Sequence, residues 1–163
     1  MSFSQNLKNK VLSREALIKK IEEWRSQKCK IVFTNGCFDL LHLGHVDYLA
    51  KAADLGDYLI IGVNTDTSVS RIKGPSRPIT DETSRTTVLA ALESVSAVVL
   101  FDEETPYELI KALQPDVLVK GADYQIDQIV GADIVLSRGG EIKTIAFVDG
   151  YSTSAIEKKI KMQ

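Results

Sequence analysis

Apolar positions along this chain recur in blocks that switch between helical and strand spacing. Leu17, Ile21 and Trp24 repeat at helical intervals behind Ser13, a side chain suited to capping a helix start. Ile31, Val32 and Phe33 then form a β-branched and aromatic run that reads as a strand. Val46, Leu49, Ala50 and Ala53 fall at i, i+3, i+4 and i+7, the stripe of a helix laid on a sheet. Residues 58–63 are almost wholly apolar, as a strand covered on both faces requires. Val88, Leu89 and Leu92 mark another helix, followed by a strand over 97–101. Thr105, Pro106 and Glu108 supply the cap, first-turn proline and capping-box acid of the next helix. Strands over 117–119 and 142–148 follow, and Ser152-Thr153-Ser154 opens a last helix carrying Ile156 and Ile160. The alternation predicts an α/β protein with a doubly wound, parallel, five-stranded sheet. It forms one domain over 1–163, with 1–28 as an N-terminal helical extension.

Composition narrows the class. With 163 residues, 44% of them hydrophobic and 26% charged, the chain is large enough for one continuous core. A net charge of −2 argues against coating nucleic acid. Cys29 and Cys37 lack zinc spacing and companion ligands, so neither a disulfide framework nor a structural metal is expected. No apolar run approaches 18 residues, and residues 1–12 hold no signal-peptide core. The expectation is a reduced, cytoplasmic protein with neither nucleic acid nor membrane as partner.

Candidate chemistry gathers in the loops after the strands, where doubly wound sheets bind ligands. These are residues 35–45, 64–66, 120–124 and 150–154. The first holds both histidines, His42 and His45, three apart on a helix start and so on one face. Gly44 between them lets a ligand approach the backbone, and the helix start adds free N–H groups and a positive dipole end. Ser152-Thr153-Ser154 offers a second helix N-terminus, readable as a plain cap or as a phosphate site. Residues 71–78, with Arg71, Lys73 and Arg77 among glycine and prolines, read as a cationic functional loop or as ordinary solvated charge. No Walker-type loop and no dinucleotide fingerprint is present. No nucleophile elbow appears, and Cys37 has no residue to orient a Cys–His pair, so it reads as a packed thiol. His42, His45 and Asp39 lack a further ligand at metal spacing, so no metal site is assigned. What remains is stabilisation of charge on phosphorus, in which a protein mostly positions and neutralises.

Residues 35–45, Asn-Gly-Cys-Phe-Asp-Leu-Leu-His-Leu-Gly-His, resemble the HxGH signature of the cytidylyltransferase-like nucleotidyltransferase superfamily. Gly150-Tyr151-Ser152-Thr153-Ser154-Ala155-Ile156 resembles its second motif, and the likeness runs from about Lys30 to Ile160. Within the superfamily, segments 71–78, 116–124 and 147–153 are similar to the adenylyltransferase part of ADP-heptose synthases. The resemblance implies a Rossmann-like sheet and transfer of AMP from ATP, with Mg²⁺, to D-glycero-β-D-manno-heptose 1-phosphate. Many relatives are fused behind a sugar kinase; this sequence holds none, so the expectation is the stand-alone form, a separate heptose kinase upstream and, weakly, a homodimer. By the same resemblance His42 and His45 stabilise the transition state, with Lys73 assisting. Phe38 and Gly44 shape the nucleotide side, Ser152, Thr153 and Ser154 hold phosphates, and Lys120 and Asp123 border nucleotide or sugar. Asp39, Asp66, Arg77 and Arg85 fall on the substrate side, Asp66 as the carboxylate nearest a metal or ribose. Ser154 departs from the expected threonine but keeps the hydroxyl.

Two other readings stand beside this one. A cytidylyltransferase acting on glycerol 3-phosphate or a similar ester shares the motifs that grip a triphosphate. A nucleotide sensor without turnover would have no use for donors aimed at a transition state.

Overall fold

The computed structural model describes residues 1–163. Helix α1 (Phe3–Lys10) leads into a two-residue strand β1 (Val11–Leu12) and then α2 (Arg14–Ser26), capped by Ser13 as its spacing predicts. Strand β2 (Ile31–Gly36), helix α3 (Leu43–Ala53) and strand β3 (Tyr58–Asn64) follow. Next come α4 (Asp66–Lys73), α5 (Glu82–Ala90), β4 (Ala97–Phe101), α6 (Tyr107–Leu113) and β5 (Val117–Gly121). A 3₁₀ turn at Ile126–Gln128, α7 (Ala132–Ser137), β6 (Glu141–Ile145) and α8 (Thr153–Lys161) complete the chain.

All strand pairs are parallel, in the order β1-β4-β3-β2-β5-β6. The sheet therefore has six strands, not the five that periodicity predicts. The extra one, β1, pairs only Val11 with Val98 and Leu12 with Val99, too short a run to show a period. Segment 1–28 thus holds two helices and also an edge strand of the sheet. The last strand ends at Ile145 rather than at 148, and residues 146–148 form a loop. The front of the cationic segment, Arg71 to Lys73, is the last turn of α4.

Helices cover both sheet faces, which is why the central strands read as unbroken apolar runs. Leu17, Ile21 and Trp24 of α2 join Phe33, Leu109 and Leu118 on one side. Tyr48, Leu49 and Ala52 of α3 join Val32, Ile61 and Leu89 on the other. The stripe assigned to α3 is out of phase by one residue. Val46 and Ala50 are exposed, and the inward face is half-buried His45 with buried Tyr48, Leu49 and Ala52, again i, i+3, i+4, i+7. The chain runs from β2 outward through β3 to β4, then returns to place β5 on the other side of β2. That reversal puts a crevice at the carboxyl ends of β2 and β5.

Candidate active site

A cavity of about 210 Å³ occupies that crevice, with Asn35 at the end of β2 and Lys120 and Gly121 at the end of β5 in its walls. His45, Lys73, Tyr124, Phe147 and Thr153 complete much of the lining.

His42 is the N-cap of α3, and its Nδ1 accepts a hydrogen bond from the Gly44 amide at 3.1 Å. That bond fixes the tautomer: Nδ1 is unprotonated, so the neutral ring carries its proton on Nε2 and can donate outward. Gly44 also has a local role. A Cβ there would lie 3.0 Å from the His42 ring, so the glycine makes room for the imidazole to fold back onto the helix start.

His45 sits one turn on, its ring centroid 3.9 Å from that of His42 and 5.4 Å from that of Phe38. Burial, then the neighbouring His42 and Lys73, push its pKa down to about 4. Burial lowers His42 as well. Both rings are therefore neutral at pH 7. His45 Nδ1 is buried without a hydrogen-bond partner, the one such side-chain atom in the protein. A buried polar atom without a partner is destabilising by about 1–3 kcal/mol, so a site that keeps one is poised for a ligand. Phe38, beside it, is buried at a φ of 50°, a conformation unusual for a bulky non-glycine residue.

Tyr48 anchors α3 to the sheet. Thr34 Oγ1 donates to Val119 O at 3.0 Å and so accepts from the Tyr48 hydroxyl at 2.9 Å, tying β2, α3 and β5 together. Lys120 bonds to Asn35 Oδ1 and lies 5.8 Å from the centre of the Tyr124 ring. Burial pushes its ammonium down to about 8. On the cavity's other side Lys73, at the end of α4, is exposed. Ser152 Oγ caps α8 by accepting from the Ala155 amide at 3.0 Å, and Thr153 Oγ1 donates to Leu40 O at 3.2 Å while lining the cavity. Ser154 and Asp123 are exposed and do not line the cavity.

The four charged residues expected on the substrate side form two ion pairs, and Asp39 also lines the cavity. Asp39, 5% exposed, accepts from Arg77 Nε at 2.7 Å and from the amides of Ile79 and Thr80, each at 2.9 Å. Burial alone would raise its carboxyl; the two amides and the guanidinium outweigh it and hold the group below the usual carboxylate range. Arg77 also reaches Glu157 of α8 at 3.0 Å. Arg85, 2% exposed, donates to Asp66 at 2.7 Å and to the carbonyls of Cys37, Asn64 and Thr80. These pairs fasten the loop after β2 to the loops after β3 and α4. Cys37 is packed, its Sγ 3.7 Å from Asn64 Oδ1, and burial raises its pKa. Asn35, Tyr48 and Phe147 on the cavity escaped the sequence reading. The first lies inside a motif already read for its histidines, and the other two carry ordinary core residue types.

Neutral imidazoles on a helix start, lysines from either side and a second helix N-terminus thus meet at the reversal point of a parallel sheet, an arrangement able to bind and neutralise phosphate charge. The cytidylyltransferase-like family profile matches residues 33–159, and the chain belongs to that family. It is 56% identical over 152 residues to the bifunctional protein HldE of Wolinella succinogenes and 55% identical over the same length to that of Methylobacillus flagellatus. Each match covers 93% of this chain, which spans about a third of those relatives (31%). The crystal structure of a lipopolysaccharide core biosynthesis protein from Thermoplasma volcanium aligns with a TM-score of 0.59 at 30% identity, over 76% of this chain and 99% of that one. A pantoate–β-alanine ligase of Francisella tularensis shares the fold, with a TM-score of 0.60 at 16% identity over 93% of this chain and 77% of that one. No helix is long and apolar enough to cross a membrane.

Proposed function

We propose that this chain transfers AMP from ATP to D-glycero-β-D-manno-heptose 1-phosphate, giving ADP-heptose and pyrophosphate. The observation that carries the transfer chemistry is the facing pair of neutral imidazoles on the start of α3, one with an unpartnered buried nitrogen. Support for the heptose acceptor comes from the resemblance of segments 71–78, 116–124 and 147–153, from the HldE relatives and from the lipopolysaccharide core protein of like fold.

In this reading an oxygen of the acceptor's phosphate attacks the α-phosphorus of ATP. The bond from that phosphorus to the bridging oxygen breaks, and its electron pair leaves with pyrophosphate. A phosphate monoester is largely a dianion at pH 7, its second pKa being about 6, so the nucleophile has no proton to lose. That suits neutral histidines. They serve as N–H donors to the non-bridging oxygens as charge builds, and no general base is needed. Lys73, Ser152, Thr153 and Ser154 steady the phosphates that depart, and Lys120 and Asp123 border the bound substrates. The chain has no group of three carboxylate, histidine or cysteine side chains that would cage a metal. Mg²⁺ would therefore be brought by the nucleotide, where it would help to neutralise the phosphate charge.

The test is pyrophosphate release from ATP or CTP against a panel of phosphorylated acceptors with Mg²⁺. Turnover confined to ATP with heptose 1-phosphate is expected. Turnover with CTP and glycerol 3-phosphate would replace this reading with the cytidylyltransferase, and none with any pair would favour a sensor. One preorganised donor contributes about 3–4 kcal/mol to the barrier, so His42→Ala should lower kcat by about 10²–10³ with the fold intact.

A further inference from the structure

The two lysines on the cavity arrive from opposite sides of β2, Lys73 by way of β3 and α4 and Lys120 on β5. An in-line displacement places the entering and departing oxygens on opposite sides of the phosphorus. Two cations brought to one cavity by different elements can serve the two ends separately. Their surroundings differ. Lys73 is exposed at the end of α4, beside the loop that carries Gly74, Pro75 and Pro78. Lys120 is largely buried, its hydrogen-bond partner is the neutral Asn35 side chain, and no carboxylate pairs with it. Burying an ammonium without a counter-charge costs several kcal/mol, and an arriving dianion would remove much of that penalty.

The wall around Lys120 is aromatic. Phe147 stacks on Tyr48 with centroids 5.3 Å apart, and Tyr124 lies against the ammonium. Phe147 and Tyr124 nevertheless stay about half exposed, at 50% and 49%. Gly121 exists to admit that wall: a Cβ there would fall 2.2 Å from the Phe147 ring. Apolar ring faces open to a cavity, around one placed charge, suit a polar ligand that also presents C–H surface. A sugar phosphate has that character; pyrophosphate has none of the C–H surface.

We propose that Lys120 binds the phosphate of the acceptor and that the Tyr48–Phe147 wall holds its sugar, leaving Lys73 for the departing pyrophosphate. The assignment rests on the adenylyltransferase reading for the identity of the sugar, but not for the presence of a phosphate ester. It gives Lys120 and Phe147 a role in choosing the acceptor.

Steady-state kinetics with Lys120→Met and Phe147→Ala, joined to calorimetric titration of the acceptor into each protein, test it. Lys120→Met should raise KM and Kd for heptose 1-phosphate at least tenfold and leave KM for ATP within twofold. Phe147→Ala should weaken heptose 1-phosphate severalfold and glycerol 3-phosphate hardly at all. A rise in KM for ATP with unchanged acceptor affinity would overturn the proposal, moving Lys120 to the nucleotide. If the wild type turns over a different phosphate ester, the heptose reading fails and that ester becomes the titrant for Lys120. If it turns over none, titration of heptose 1-phosphate and of inorganic phosphate still decides, since equal binding by wild type and Lys120→Met sinks the assignment.

Discussion

His45 stands where its surroundings oppose a proton, with burial, His42 and Lys73 together holding its pKa near 4. An unfolded histidine titrates near 6.5. Between pH 6.5 and about 4 the unfolded chain takes up the proton that the folded chain refuses, so stability falls as pH falls through that window. The contribution is fully present above pH 6.5 and gone once pH drops below about 4. After allowance for partial hydration it amounts to about 2 kcal/mol. Urea unfolding of wild type and His45→Gln at pH 7, 5.5 and 4 should show the wild type losing about that much more than the variant. Parallel losses would mean that the ring is solvated. The histidines were legible because two copies of a rare residue share one motif. The pairings of the charged residues were not. Asp39 finds Arg77 across 38 positions and Asp66 finds Arg85 across 19, and a sequence names a charge without naming its partner.

At the scale of elements, the helix α3 shows what periodicity misses. The i, i+3, i+4, i+7 pattern was right in form and wrong in phase, because Val46 and Ala50 look more apolar than His45 and Tyr48. In the structure the latter two face the sheet and cavity, where Tyr48 bonds to Thr34 and His45 packs against the rings of His42 and Phe38, contacts that a hydrophobicity scale discounts. Strands β2 to β5 were legible because burial on both faces leaves uninterrupted apolar runs. How the last helix is held was not. Helix α8 has no buried residue and is fastened through Arg77–Glu157 and Thr153–Leu40. Arg77 in turn depends on Asp39, whose side chain is 1% exposed. Arg77→Met removes both ion pairs while the amides of Ile79 and Thr80 still satisfy the carboxylate, so the loss should be about 2 kcal/mol rather than the 3–5 of a fully orphaned charge. Hydrogen exchange should then speed up across α8 and residues 74–80, with α2 and α6 unchanged. If exchange in α8 stayed at the wild-type rate, the clamp would not be what holds that helix.

For the molecule as a whole, the question is how much of segment 1–28 the domain requires. Two different answers apply to its two halves. Helix α1 has no buried residue; only Leu7 packs partly on the core, and Lys10 reaches the Leu92 carbonyl at 3.3 Å. Helix α2 places Leu17, Ile21 and Trp24 in the core at 0%, 1% and 6% exposure, covering one face of the sheet, with Trp24 stacked 4.0 Å from Tyr58. Burying three side chains of that size contributes about 1.5–3 kcal/mol each, a sum comparable with the whole net stability of a domain. Removing residues 1–10 should therefore lower Tm by only a few degrees and leave unfolding cooperative. Removing 1–28 should leave Phe33, Leu109 and Leu118 uncovered on that face, and the truncated chain should bind a hydrophobic dye and unfold without a sharp transition. A sharp transition in the shorter chain would mean that α2 is an appendage. In that event the cleft would be carried by residues 29–163 alone, and the sheet would tolerate an open apolar face.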